Sequence, residues 1–297
     1  MKKIFIILLM ALCSIGIHAK KQVVYVENFS YSSEIGEVRT EQVRNMVIAT
    51  LASYQHLQVV DVNSESSLRV EKNRRSGEDA VDDETARLGK LRQLGANYIV
   101  QGLVSTVDIT QKVEINKKGE EKVRYNCVMS YSIKVVDCES GTLLAAEMYK
   151  YESGLCKNSE EGVQRCIKKI PNDIHKVVTK NFKLSSIILD SEYESNKGKL
   201  IRCYINLGED DGVVPGTVFA VKQAIIKVGR VSWTEIGELV VESIVAGDLA
   251  LCKVRRGAAE IYTALEEVIS IKESDPNNAH DLIVETKAFQ QPKSSLF

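Results

Sequence analysis

The sequence predicts an α+β protein in two parts: an N-terminal α/β domain with helices packed on a mixed sheet, then a small all-β, barrel-like C-terminal domain. Three observations lead there. Up to about Leu184, segments of helical period alternate with segments of strand period. Past Leu184 the helical period disappears, and short apolar runs punctuated by Gly, Asp and Asn take over. The chain has 297 residues, 44% hydrophobic and 27% charged, enough to bury two cores. The division is residues 1–19 as a signal peptide, 20–186 as the α/β domain, 187–272 as the β domain and 273–297 as a polar tail.

Lys2 and Lys3 precede the apolar run IFIILLMALCSIGI and the small residue Ala19, the pattern of a secretory signal peptide cut near Ala19. Cys13 would be the lipid-bearing residue of a lipoprotein, but Leu12 stands where the lipoprotein peptidase wants a small residue. Removing Lys2 and Lys3 takes 39 basic residues to 37 against 40 acidic ones, a mature charge of -3. The protein is expected in a periplasm, with no basic footprint for nucleic acid.

QVVYVENF (22–29) has the apolar continuity of a buried strand. A helix from about Gly36 to Tyr54 carries Val43, Val47, Leu51 and Tyr54 on one face, and HLQVVDV returns to strand. Arg74 to Glu84 reads as a solvated loop, and DDETARLGKLRQLG as a helix ending at a Gly95 C-cap. NYIVQGLV is the next strand. From Val107 to Val136 the period becomes two on both sides of NKKGEEK, a long hairpin with one apolar face that Gln111 interrupts. Gly141 in DCESGT turns the chain into LLAAEMYKY. Val163, Cys166, Ile167, Ile170, Ile174, Val177, Val178 and Phe182 then form one helical stripe, which Pro171 should kink or split. In the β domain SIIL, KLIRCYINL, TVFAVKQAII, IGELVVESIV and DLALCKV are strands, Ile261–Lys272 is expected to add one or two more, and the tail to be loose.

Four segments, VVYVENF, LASYQHLQVVDV, LRQLGANYIVQGLVS and YSIKVVDCESGTLLAAE, resemble the CsgG-type family in order and spacing. That family includes the curli secretion protein, lipoprotein activators of penicillin-binding proteins and the middle part of the flagellar protein FlgT. YINLGEDDGVVPGTVFAV with IGELVVESIVAGDLALCKV is similar to the terminal module of FlgT. The resemblance implies a non-enzymatic envelope protein that oligomerises or docks in assembly or secretion at the periplasmic face of the outer membrane, with peripheral membrane association. The alternative it implies is a regulator that binds and activates a peptidoglycan synthase. One departure limits it. The curli channel inserts two hairpins per subunit into a membrane barrel, whereas only ESGLCKN follows Tyr149 here. The Val107–Val136 hairpin is therefore expected to pack on its own helices.

The residues show no chemistry. G-x-S-x-G, H-E-x-x-H, S-x-x-K and P-loop patterns are missing, His56 and His175 read as surface histidines, and no catalytic, metal or cofactor residue is assigned. Six cysteines follow the signal in no zinc spacing; Cys156 and Cys166, close together at one helix start, are the expected disulfide. Arg74 and Arg75, the hairpin-tip residues Lys117 and Lys118, and the single Trp233 are candidate partner contacts. The stretch GEDDGVVPG is read as turns: Gly208 and Gly212 at positive φ, Pro215-Gly216 as the centre of a type II turn, and Asp210 or Asp211 capping through an Asx bond.

Overall fold

The computed structural model describes residues 21–61, 95–115, 119, 121–276 and 279–290, the side chain of Ser191 excepted. The signal peptide, the loop with Arg74 and Arg75, the helix before Gly95 and the turn with Lys117 and Lys118 lie outside the described residues.

The chain opens with β1 (Gln22–Val26), a two-residue β2 (Ser30–Tyr31), helix α1 (Glu37–Ala52) and β3 (Leu57–Asp61). A long hairpin follows, β4 (Tyr98–Ile115) and β5 (Glu121–Asp137), then β6 (Leu143–Glu152), α2 (Ser159–Ile167) and α3 (Ile170–Asn181). Their sheet runs β3-β1-β4-β5-β6, with β2 beside β4. β1 is parallel to both neighbours and buried along nearly its whole length, which is why QVVYV is apolar without alternation. The short β2 is also parallel to β4, whereas β4–β5 and β5–β6 are antiparallel and their inward residues alternate: Cys127, Met129, Tyr131, Ile133 and Val135 all sit in the core under the helices. Pro171 stands in the first turn of α3, where its missing N–H costs nothing, so the expected stripe is delivered by two helices rather than one. NYIVQGLV and the hairpin are one continuous ladder, from Tyr98↔Asp137 to Ile115↔Glu121.

The second part is a closed barrel of β7 (Ser185–Asn196), β8 (Lys199–Ile205), β9 (Val218–Lys227), β10 (Arg230–Ala246), β11 (Leu249–Arg256) and β12 (Ile283–Ala288), in the order β10-β11-β8-β7-β12-β9. Closure removes the free edges that an open sheet would leave. Two expectations are corrected here. Ile261–Lys272 is not strand: it lies in α4 (Ala258–Ser274), whose Ile261, Ala264, Leu265 and Val268 cover the barrel at helical spacing. β-branched richness hid a period of 3.6 that the same residues already carried. The tail, expected to be loose, supplies β12, which pairs with both β7 and β9 and so closes the barrel.

The GEDDGVVPG stretch forms the joint between the two parts. Gly212 has φ +74, and a Cβ there would lie 2.0 Å from the backbone nitrogen of His56, at the α1–β3 corner. Gly216 has φ +89 and Thr217 N–H donates to the Val214 carbonyl at 3.1 Å, the bond of a type II turn around Pro215-Gly216. Asp211 is buried and its carboxylate accepts from Gly208 N–H at 2.8 Å. Gly208 itself does not take positive φ; a Cβ there would strike the Gly247 carbonyl at 2.3 Å, so close approach rather than turn geometry requires glycine.

His56, expected at the surface, is buried in this joint. Its ring stacks on Phe289 at 4.1 Å between centroids, with Tyr54 edge-on to both rings. Tyr54 and His175 Nδ1 share a hydrogen bond of 2.6 Å, so His175 is also tied to the joint rather than facing solvent alone. Thr286 of β12 accepts from Leu184 N–H and donates to its carbonyl where the chain leaves the first part. One apolar core runs unbroken from Val24 through Phe182 and Leu184 to Phe219 and Val284.

Candidate functional site

Among the described residues, the polar groups in the interior serve the fold. Asp173 accepts hydrogen bonds from the hydroxyls of Tyr131, at 2.8 Å, and Tyr151, with Lys176 Nζ at 3.5 Å. Burial, and then the Asp173 charge, push the Tyr131 hydroxyl far above the usual phenol range, so it remains a donor. Arg44 is fully buried; it donates to the Glu27 carbonyl at 2.9 Å and the Val26 carbonyl at 3.3 Å, and pairs with Asp61 and Glu41. It ties the ends of β1 and β3 to α1. Burial lowers His56 to about 4, which holds the ring neutral. Within the described residues no group of three or more His, Cys, Asp or Glu is placed to hold a metal ion.

The Cys156–Cys166 bond is not formed; all six described cysteines are free and buried thiols. Cys156 instead bridges by its backbone to Tyr125, at 3.0 and 2.7 Å, while Cys166 reaches across to Cys127 of β5. The hydrogen bond between those two thiols raises Cys127 and lowers Cys166. Cys203 and Cys252 stand opposite each other in the β8–β11 ladder, and burial pushes Cys203 up to about 12. Proximity in sequence was outweighed by strand register, which sets cysteine neighbours across the sheet.

The features left without an internal role are surfaces. β6 is the last strand of its sheet and, among the described residues, no strand pairs with its outer edge over ten residues. Its inner residues are anchored: Glu147 accepts from Tyr149 at 2.8 Å and from Lys180 of α3 at 3.1 Å, and these donors hold its carboxyl below the usual range. The other face carries Leu144, Ala146 and Met148, the last 76% exposed, with Leu143 half-exposed at the strand start.

The tip of the neighbouring β4–β5 hairpin is exposed too, but its apolar residues lie on the helix-side face of the sheet, opposite to Leu144 and Met148. The α2 layer ends over Cys127, where a Cβ on Gly162 would lie 3.0 Å from the cysteine Cβ, and Cys156 covers Tyr125. Beyond that point the apolar residues of this face are exposed, with no helix over them among the described residues. Val113 pairs with Val123, and Ile115 beside them is 69% exposed. The opposite face is ionic, with Arg124 and Glu114 3.6 Å apart. Packing on its own helices, as expected, holds for the base of the hairpin and stops short of its tip.

Of the other sequence candidates, Gly95 and Gly141 take φ +80 and +70, as turn glycines do, and Trp233 stands near the end of the β9–β10 hairpin, half-exposed, with the His280 ring edge-on at 6.5 Å. Sequence reading missed the β6 edge. Its signal was the apolar start of LLAAEMYKY directly after a turn, which looks the same in a central strand.

No family model and no curated protein matches the chain. Solved structures that overlap part of it include the PelC dodecamer from Paraburkholderia phytofirmans, with TM-score 0.31 and 11% identity over 53% of this chain and 87% of that one. Lipoprotein GNA1162 from Neisseria meningitidis gives 0.33 and 17% over 51% and 95%, and the LpoB C-terminal domain from Escherichia coli 0.29 and 15% over 48% and 92%. At this overlap and identity they assign neither family nor activity to this chain. No helix among the described residues is long and apolar enough to cross a membrane.

Proposed function

We propose that this protein is a non-enzymatic component of the cell envelope that acts by contact. It docks a protein partner, a second copy of itself included, along the β6 edge and the adjoining β4–β5 tip, in assembly or secretion at the periplasmic face of the outer membrane. The observation that carries this reading is the ten-residue edge strand, with no strand paired on its outer side among the described residues and with exposed Leu143, Leu144 and Met148 along it. An open edge presents unpaired N–H and C=O groups that pair readily with another strand, and natural proteins usually shield such edges. The barrel in the same molecule has none to shield. The resemblance of VVYVENF and LRQLGANYIVQGLVS to CsgG-type proteins supports the envelope setting.

Leu144→Lys with Met148→Lys places two charges on the exposed face without touching the core. Light scattering on purified protein, together with co-fractionation from gently solubilised envelopes, reads the effect. Association present in the wild type and lost in the double variant, with an unchanged circular dichroism spectrum, supports the reading. Identical behaviour of the two proteins refutes it.

A further inference from the structure

The last neighbour of β9 across β12 is the pair Ile283↔Lys222, and β10 meets β11 only from Glu238↔Arg256 onward. Between those limits, Gln223–Lys227 and Arg230–Thr234 pair solely with each other. They form a two-stranded arm of five residue pairs standing off the barrel, about 17 Å long at about 3.3 Å per residue. Paired residues share a face, so Ala224 with Trp233 and Ile226 with Val231 make one apolar side. Ile226 is 69% exposed, Val231 and Trp233 are exposed, and Val228 at the turn is fully exposed. The other side carries Gln223, Lys227, Arg230, Ser232 and Thr234 around one apolar residue, Ile225.

The charge is of one sign. From Lys222 to Thr234 there is no acidic residue. Lys222 is already paired with Glu285 at 2.9 Å, at the base of the arm. Lys227 and Arg230, opposite each other behind the turn, have no ion pair among the described residues. An isolated two-stranded ribbon is marginally stable in water, and an apolar face on one needs a second phase or a partner to cover it.

We propose that this arm is a membrane-surface anchor that lies on a bilayer containing anionic phospholipid. Ile226, Val231 and Trp233 enter the boundary between headgroups and acyl chains, with Val228 leading at the turn. Lys227 and Arg230 extend their stems to the phosphates, as long cationic side chains do at such boundaries. An anionic lipid surface fits better than a protein surface because both unpaired cations sit at the free end around an apolar turn. An indole beside a flat apolar face is also the residue enriched at membrane boundaries. The proposal concerns a different surface from the β6 edge and stands or falls apart from it.

Trp233 is the only tryptophan of the chain, so its fluorescence reports on this arm alone. The full-length protein is titrated with vesicles of phosphatidylcholine and with vesicles of phosphatidylcholine and phosphatidylglycerol mixed. The expected result is a blue shift, and quenching by brominated acyl chains, with the mixed vesicles and little change with phosphatidylcholine. Lys227→Glu with Arg230→Glu weakens that response about tenfold or more, and Ile226→Ser with Val231→Ser abolishes it, both with an unchanged circular dichroism spectrum. No response of Trp233 to the mixed vesicles overturns the proposal, and so does an equal response to phosphatidylcholine. Protection of Trp233 only in the presence of an envelope protein, with silence towards vesicles, makes the arm a protein contact and also overturns it.

Discussion

Gly212→Ala tests whether the two parts of the molecule are one packed body. Two costs arise at this position. Its φ of +74 is a conformation that alanine adopts at a cost of about 1 kcal/mol relative to glycine. The new Cβ would also lie 2.0 Å from His56 N, 2.3 Å from the Gln55 carbonyl carbon and 2.4 Å from His56 Cα. These are backbone atoms at a corner clamped by Tyr54 and Phe289, and overpacking of this kind costs about 1–3 kcal/mol. The total is about 2–4 kcal/mol. Two controls isolate the seam. Gly229→Ala has φ +72 with nothing within 4 Å, so it carries the conformational cost alone. Gly216→Ala has φ +89 but meets the Gln290 side chain, which can swing away. Urea unfolding followed by far-ultraviolet circular dichroism and by Trp233 fluorescence reads all three. In the wild type the two probes should coincide, as one continuous core requires. Gly212→Ala should fall well below both controls, with the two probes separating. A loss no greater than that of Gly229→Ala would refute the packed joint.

Other expectations follow from the same contacts. His56 is lowered from 6.5 to about 4, so between those values the unfolded chain binds a proton that the folded chain refuses. Stability is therefore full above pH 6.5, falls as the pH drops towards 4, and loses about 3 kcal/mol at 1.36 kcal/mol per pH unit; His175, also lowered by burial, adds in the same direction. Urea midpoints across that range check it, and a flat profile contradicts the buried neutral ring. Arg44→Ala leaves the Val26 and Glu27 carbonyls without their guanidinium donor and should cost about 3 kcal/mol by urea denaturation. Val228 holds φ 51, which a β-branched residue rarely adopts; Val228→Asn should raise stability by about 1 kcal/mol, read as a higher urea midpoint. The six described thiols should be inert to a thiol-specific chromogenic reagent until the protein is unfolded, and prompt reaction in the native state would contradict their burial.

The first domain was readable because its signals are local and redundant. Unbroken apolar QVVYV marks a central parallel strand, and the alternation through Cys127, Met129 and Tyr131 marks a half-covered one. Pro171 divided the final stripe where a proline must. The strand runs of the second domain point to a barrel-like β domain but do not reveal its closing strand, Ile283–Ala288, which follows a helix and looks like one short apolar stretch in a polar tail. What joins it to β7 and β9 is register, which no window of sequence contains. His56 illustrates the same limit: nothing near it in HLQVVDV announces Phe289, which stacks on it from 233 residues further along the chain. For the candidate surfaces, Trp233 could be named from the sequence because a lone tryptophan near a Gly turn is conspicuous. The β6 edge could not, because whether a strand lies at an edge is decided by what fails to pair with it.

The central claim, that this chain works by contact through the β6 edge, is tested most directly by a photoreactive amino acid placed at Met148 in the protein expressed in its own cells. Irradiation should give a discrete cross-linked species of defined mass from Met148, and none from the same label at exposed Lys199 in the barrel. A protein that folds normally, yet gives no adduct from Met148 or gives the same adducts from both positions, would contradict it.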